Sequence, residues 1–199
     1  MNVIEAIQQR RAVKAFDPHH QISAATRRTL LENAALTPSA YNIQHWRLVD
    51  VRDPALRAAI REVAWGQPQV TDASLLFVLC ADLDAWQEEP QRYWDTAPQA
   101  VQDFILPKLD EYYRGKPRVA RDEAMRSLGL MGMSLMLLAK DLGYDSCPMD
   151  GFDFDAVARL IHLPDHHAIG FMLAIGKATG EPWPRERLAI DSLVVLDHF

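Results

Sequence analysis

Apolar positions along this chain change period several times, and each change predicts an element. In VIEAIQQ, Val3, Ile4 and Ile7 share one side at helical spacing, so residues 2–10 read as a short helix. A second helix starts after Ser23, a side chain suited to capping its N-terminus, and runs to about Leu36. TPSAYN (37–42) gathers the turn formers Pro38, Ser39 and Asn42, and HWRLVDV (45–51) then alternates like a strand. Residues 52–65 give a third helix, with Pro54 placed at its first turn. ASLLFVLCA (73–81) is a nearly continuous apolar run of strand length, as a buried central strand requires.

The pattern breaks between 82 and 120, where charge, proline and aromatics (Trp86, Tyr93, Trp94, Phe104, Tyr112, Tyr113) predict broken helices. Residues 120–144 form a long helix, polar at first and then apolar on nearly every side, stopping at Gly143. A helix apolar all round is buried all round. In a chain this small, that points to a subunit interface. Residues 151–164 hold one more helix and 167–178 another apolar strand. The tail, 179–199, is extended, held straight by Pro182 and Pro184, and carries the fourth strand. Helices cluster instead of alternating with strands, which favours an α+β fold.

Composition narrows the function classes. The chain of 199 residues suits one domain spanning 1–199, and its 49% hydrophobic and 24% charged residues are those of an ordinary globule. A net charge of -6 and a pI near 5.6 argue against nucleic acid or an anionic membrane as main partner. The longest nearly apolar run, 128–139, falls short of the roughly 20 residues a membrane span needs. Cys80 and Cys147 form no CxxC pair, and MNVIEAIQQRR lacks a secretory apolar core, so a reducing cytoplasm is expected.

Against that acidic background, QQRRAVKAF sets Arg10, Arg11 and Lys14 within five positions. Cations at a helix end can simply complement its dipole. The tail adds Arg185 and Arg187, two apart in an extended segment and therefore on one side. Converging guanidiniums suit an anion, and phosphate matches their geometry best. Neither GxGxxG nor GxxxxGK[ST] occurs, so side chains would have to hold that phosphate. Other candidates read as structural. The doublets His19–His20 and His166–His167 lack zinc-site spacing and carboxylate company, so no metal is expected. Ser39 has no GxSxG context. Cys80, Cys147 and the methionines of 125–136 read as packing.

Five stretches in register, RRAVKAF (10–16), TPSAYNIQHWR (37–47), GQPQVTDASLLFVLCA (66–81), CPMDGFD (147–153) and PRERL (184–188), resemble the FMN-dependent nitroreductase family. The resemblance spans almost the whole chain except 82–120. It implies a three-layer α/β/α sandwich with a central mixed, mainly antiparallel sheet, in a domain-swapped homodimer with a long buried interface helix. FMN is the implied cofactor and NADH or NADPH the donor. Arg10, Arg185 and Arg187 would contact the phosphate, with Arg11 and Ala12 beside it; Ala12 replaces a frequent serine. Lys14 would sit at the flavin pyrimidine edge, where reduction leaves negative charge. Pro38, Ser39, Ala40 and Asn42 would form the partner's wall, and Gln67 and Gln69 would offer amides. Pro148, Met149, Asp150 and Gly151 would pass over the ring, placing a backbone N–H near N5; Lys14, Asp150 and Gly151 make up the catalytic set. Tyr41, Trp94, Tyr112 and Tyr113 are the substrate-facing candidates, the last three on a lid at 82–120. His45 stands where a proline is common, either touching substrate or capping the turn. The implied activity is reduction of nitroaromatics, quinones or similar small electrophiles by a ping-pong route. Enal or semialdehyde reduction, dehalogenation and flavin fragmentation on the same fold remain open. So does a non-catalytic helical regulator.

Overall fold

The computed structural model describes residues 1–199. Its helices are α1 (Val3–Gln9), α2 (Ala24–Ala34), α3 (Pro54–Glu62), α4 (Gln69–Asp72), α5 (Gln99–Tyr113), α6 (Pro117–Asp141) and α7 (Phe154–Leu160). The strands are β1 (Trp46–Asp50), β2 (Leu75–Asp82), β3 (Asp145–Met149) and β4 (His167–Gly176). They lie in the order β1-β2-β4-β3, every neighbouring pair antiparallel. Beyond β3, Ala12 makes a parallel bridge to Ser146, so the sheet is mixed only at that edge.

Side-chain chemistry sets the helix starts. Asn2 and Glu5 form a reciprocal capping box on α1. The Ser23 Oγ accepts the Thr26 N–H at 3.0 Å, and Asp53 caps α3 with Pro54 at its first position. β2 is buried at every residue, and its alternation divides the interior in two. Leu75, Phe77, Leu79 and Ala81 pack with α2 and α6 residues such as Leu30, Leu128 and Leu135. Leu76, Val78 and Cys80 pack with Ile60, Val70 and Val157 from α3, α4 and α7. Helices therefore cover both sheet faces, the three layers expected. α6 approaches closely at Gly132, where an added Cβ would lie 2.2 Å from the Phe171 ring.

The structure corrects the sequence reading at the fourth strand and the tail, and adds what the pattern left open elsewhere. The fourth strand is β3, not the tail; Pro148 disguises it, and an edge strand tolerates that proline. Residues 179–199 form no ladder and only a short 3-10 turn at Ile190–Ser192. α1 turns its apolar side outward: Val3, Ile4 and Ile7 are exposed, and only Ala6 is buried. α6 buries a stripe running from Ala120 to Ala139 but leaves Leu130 half exposed, so one chain does not enclose it. Segment 82–120 builds a small core of its own from Ala85, Trp86, Leu109, Tyr113 and Ala120, closed by Ile43. No helix is long and apolar enough to cross a membrane.

Candidate active site

The two ends of the chain meet. The Arg185 guanidinium donates to the carbonyls of Ile7 at 2.9 Å, Gln8 at 2.7 Å and Arg10. Arg11 donates to the Gln8 carbonyl at 2.6 Å. These are the carbonyls that the C-terminus of α1 leaves unpaired, so Arg11 and Arg185 finish the helix. Nη1 and Nη2 of Arg185 are thereby engaged by backbone, while its buried Nε has no partner. Arg187 donates to the Glu186 carbonyl next to it at 2.6 Å, and the Arg10 side chain makes no hydrogen bond within the chain. Burial, then the charges of Arg187 and Arg11, hold Arg10 below the usual arginine value. No carboxylate acts on it. Burial and then Arg11, Arg10 and Arg187 likewise lower Arg185. Four guanidiniums without a counter-charge, in an acidic protein, describe a site for an anion.

Next to this cluster, residues 12–16 run along the β3 edge, tied by the Val13 N–H to the Ser146 carbonyl at 3.0 Å. Lys14 is exposed, and its charge acts on the buried Cys147 thiol, whose pKa burial raises and Lys14 moderates. Cys147 also lies 3.9 Å from Gln69 Nε2. A side-chain relay continues from there. Gln69 Nε2 donates to Gln67 Oε1 at 2.9 Å, and Gln67 Nε2 donates to the Gly151 carbonyl at 2.8 Å. Both ends of Gln67 are consumed, so it scaffolds the 150–151 loop instead of offering an amide outward. Gln69 differs: it is 1% exposed, and its Oε1 has no partner within the chain. Of the loop itself, Met149 points into the core while Asp150 is exposed, and the Asp153 N–H bonds to the Val63 carbonyl at 2.9 Å. Over Gly151 lies a residue with no sequence signal, Trp65: a Cβ at Gly151 would stand 2.5 Å from its ring.

The segment 37–44 is a rigid, unusual turn. Tyr41, Asn42 and Gln44 all have positive φ (52, 57 and 54°). Side chains hold it there. Ser39 Oγ accepts the Gln44 N–H at 2.9 Å, Asn42 Nδ2 donates to the Tyr93 carbonyl at 3.3 Å, and Thr37 Oγ1 bonds Ser134 Oγ at 2.7 Å. Tyr41 packs on Tyr112 and Tyr113 with ring centroids 5.6 and 6.0 Å away. Pro38 is exposed, with Ser39 and Ala40 half-buried. Tyr113 is itself 1% exposed and stacked on Trp86 at 5.7 Å, so it cannot receive a ligand. Tyr112 donates to Glu123 at 3.0 Å, and Trp94 is half-buried. His45 is buried against Tyr113 with neither ring nitrogen paired, and burial pushes its pKa down to about 4. It neither caps the turn nor reaches the surface.

Two other clusters pair most of their charges internally, although His167 Nδ1, Arg27 Nε and Asp50 Oδ1 have no partner. His166 and His167 do have carboxylate company, their ligand atoms lying within 4.8 Å of those of Asp82. Yet Asp82 already accepts from Arg47 at 2.9 Å and from the Asp84 N–H at 3.0 Å. A cleft of about 500 Å³ beside α2 and α3 contains none of the residues above. Its Arg27 and Arg52 pair with Asp50, and its Arg57 bonds the Val51, Ala73 and Ser74 carbonyls.

Residues 7–177 match the sequence model of the nitroreductase family. The chain belongs to that family. Among relatives, it is 50% identical over 179 residues to protein DrgA of Synechocystis, covering 90% of this chain and 85% of that one. It is 32% identical to a protein named NADH dehydrogenase from Thermus thermophilus, covering 94% and 92% of the two chains. A structure from Exiguobacterium sibiricum, solved in complex with FMN, superimposes with a TM-score of 0.92 at 28% identity over 99% of this chain and 98% of its own. This nitroreductase fold accounts for the mixed edge at Ala12 and the paired helical layers. Of the expected site residues, the fold gathers Arg10, Arg11, Arg185 and Arg187 at one place. It joins Lys14, Gln67, Gln69 and Gly151 through Cys147. Pro38, Ser39, Ala40 and Asn42 lie together on a different segment.

Proposed function

We propose that this protein is an FMN-dependent NAD(P)H oxidoreductase, working as a homodimer on small conjugated electrophiles such as nitroaromatics and quinones. The observation that carries this reading is the uncompensated arginine cluster assembled from both chain ends. The relatives' names and the FMN-bound fold neighbour add the donor and the cofactor.

This chain's residues fit FMN on three counts. Arg10 and Arg187, the latter bonded only to the neighbouring Glu186 carbonyl, supply guanidiniums for the phosphate, while Arg11 and Arg185 fix the backbone that carries them. The orphaned, buried Gln69 Oε1 offers an acceptor to the N–H of a flavin edge, and Lys14 beside it offers positive charge. The 148–151 loop, clamped by Gln67, presents backbone where a flat ring could lie close; Asp150 contributes its exposed main chain there. FMN, when bound, supplies two-electron chemistry, accepting hydride from the nicotinamide and passing electrons to the acceptor in a ping-pong sequence. The chain's own part is to hold, orient and shield, with Lys14 favouring the reduced charge electrostatically.

The dimer follows from surface apolarity. Val3, Ile4 and Ile7 on α1 and Leu188, Leu193, Val194, Val195 and Leu196 on the tail are all exposed in one chain. So many large apolar side chains exposed on two segments mark interaction faces. In this reading, the 38–42 turn of one subunit walls the site of the other, and α5 buttresses it through Tyr41. The deciding experiment is the absorbance spectrum of the purified protein. A flavin spectrum, released as FMN on denaturation, is expected. Colourless protein that takes up no FMN from excess would overturn the reading.

A further inference from the structure

The contact between Trp65 and Gly151 has no structural purpose that the core explains. The buried tryptophans, Trp46 and Trp86, are 8% and 7% exposed, as a large apolar ring normally is. Trp65 is 80% exposed. Its backbone sits at φ 55°, a left-handed conformation that costs a bulky residue free energy, and Gly66 follows at φ 67°. That turn is not loose. Arg61 Nε donates to the Gly66 carbonyl at 3.0 Å, the Val63 carbonyl accepts from Asp153, and Gln67 clamps the Gly151 carbonyl. Three bonds thus hold a strained turn that puts an indole outside the core, its ring lying on the bare Cα of Gly151. Strain retained in this way, at a site, is a marker of use. Trp65 lies on neither of the exposed apolar segments, α1 and the tail, named above.

We propose that Trp65 is the stacking wall of the acceptor site, a specificity-determining residue that favours flat conjugated electrophiles over compact, non-planar ones. The inference rests on the flavoprotein reading above, because Gly151 marks where the reacting edge of the ring would lie. An indole suits this role, since its large face gives offset stacking with an electron-poor ring and it loses little entropy in doing so.

The test uses holoprotein of wild type, Trp65→Phe and Trp65→Ala. Titration of the oxidised form with 4-nitrobenzoate, followed by the flavin absorbance change, reads binding without turnover. The expected result is a Kd raised about three- to tenfold in Trp65→Ala, the scale of one lost stacking contact, with much of the affinity kept in Trp65→Phe. In steady state, the ratio of kcat/KM for 4-nitrobenzoate to that for ferricyanide, which has no ring to stack, should fall in parallel. An unchanged Kd in Trp65→Ala overturns the proposal, as does an equal loss for both acceptors. So does dissociation of the dimer in Trp65→Ala, which would make the ring a subunit contact. If wild type takes up no FMN, both readings fail; normal FMN uptake with an unaltered variant profile removes Trp65 alone.

Discussion

Arg10 and Arg187 repel one another with no carboxylate between them, and Arg187 bonds only the carbonyl of its own neighbour Glu186, whereas Arg11 and Arg185 tie down the end of α1. Removing Arg187 should therefore act on ligand binding and little on folding. Arg187→Ala is expected to weaken FMN binding by about 1.5–3 kcal/mol, roughly ten- to more than a hundredfold, measured by titrating apoprotein. Wild-type affinity in that variant would place the anion elsewhere. His45 makes a prediction of another kind. Its neutral ring is buried, so the unfolded chain takes up a proton from about pH 6.5 downward that the native state refuses until about pH 4. Native stability is thus lost as pH falls through that window, by at most about 1.4 kcal/mol per pH unit. Urea midpoints of His45→Phe should drop less than those of wild type between pH 7 and 4.5. Equal slopes would mean that the native ring is charged.

At this scale, the sequence reveals residue types but not their allegiances. Arg10 and Arg187 are legible because an acidic chain has few reasons to cluster cations at both ends. Gln67 and Gln69 look interchangeable in GQPQ; what separates them is a Gly151 carbonyl 84 positions away. Trp65 carries no signal, since no local pattern says which loop an exposed ring will meet. Arg185 reads as a phosphate ligand from sequence, and only the structure shows that its Nη1 and Nη2 also close the end of α1.

Among the elements, strongly periodic segments are the legible ones: Ser23 and Asp53 cap where their helices begin, and the run through β2 is buried throughout. β3 escapes because five residues containing a proline carry too little pattern, and its strand character comes from pairing with β4. The close approach of α6 to the sheet offers a sharp check. Gly132→Ala would press a methyl against Phe171 at 2.2 and 2.9 Å and against Leu79 at 3.3 Å. Overpacking of this kind should cost about 1–3 kcal/mol, against the roughly 0.5–1 kcal/mol that alanine gains in a helix interior. A lower thermal midpoint is expected, and an unchanged or higher one would show that α6 can shift away from the sheet.

For the molecule as a whole, the α+β class follows from the spacing of apolar residues, the layer order is implied by the family resemblance, and the all-round apolar stretch of 120–144 points to association without saying what meets it. A tail exposing Trp183, Leu188, Ile190 and Leu196 cannot be understood from one chain. Sedimentation should give a particle of twice 22.5 kDa. Removing residues 182–199 should both dissociate it and abolish flavin retention; a truncated protein still dimeric and yellow would contradict the reading.

The bond from Arg185 to the Ile7 carbonyl joins residues 178 positions apart in the sequence. The end of α1 therefore lacks this partner until residue 185 has been translated. A product that stops before residue 185 is expected to assemble its sheet, which spans 46–176, yet to leave α1 without this clasp and to retain no flavin.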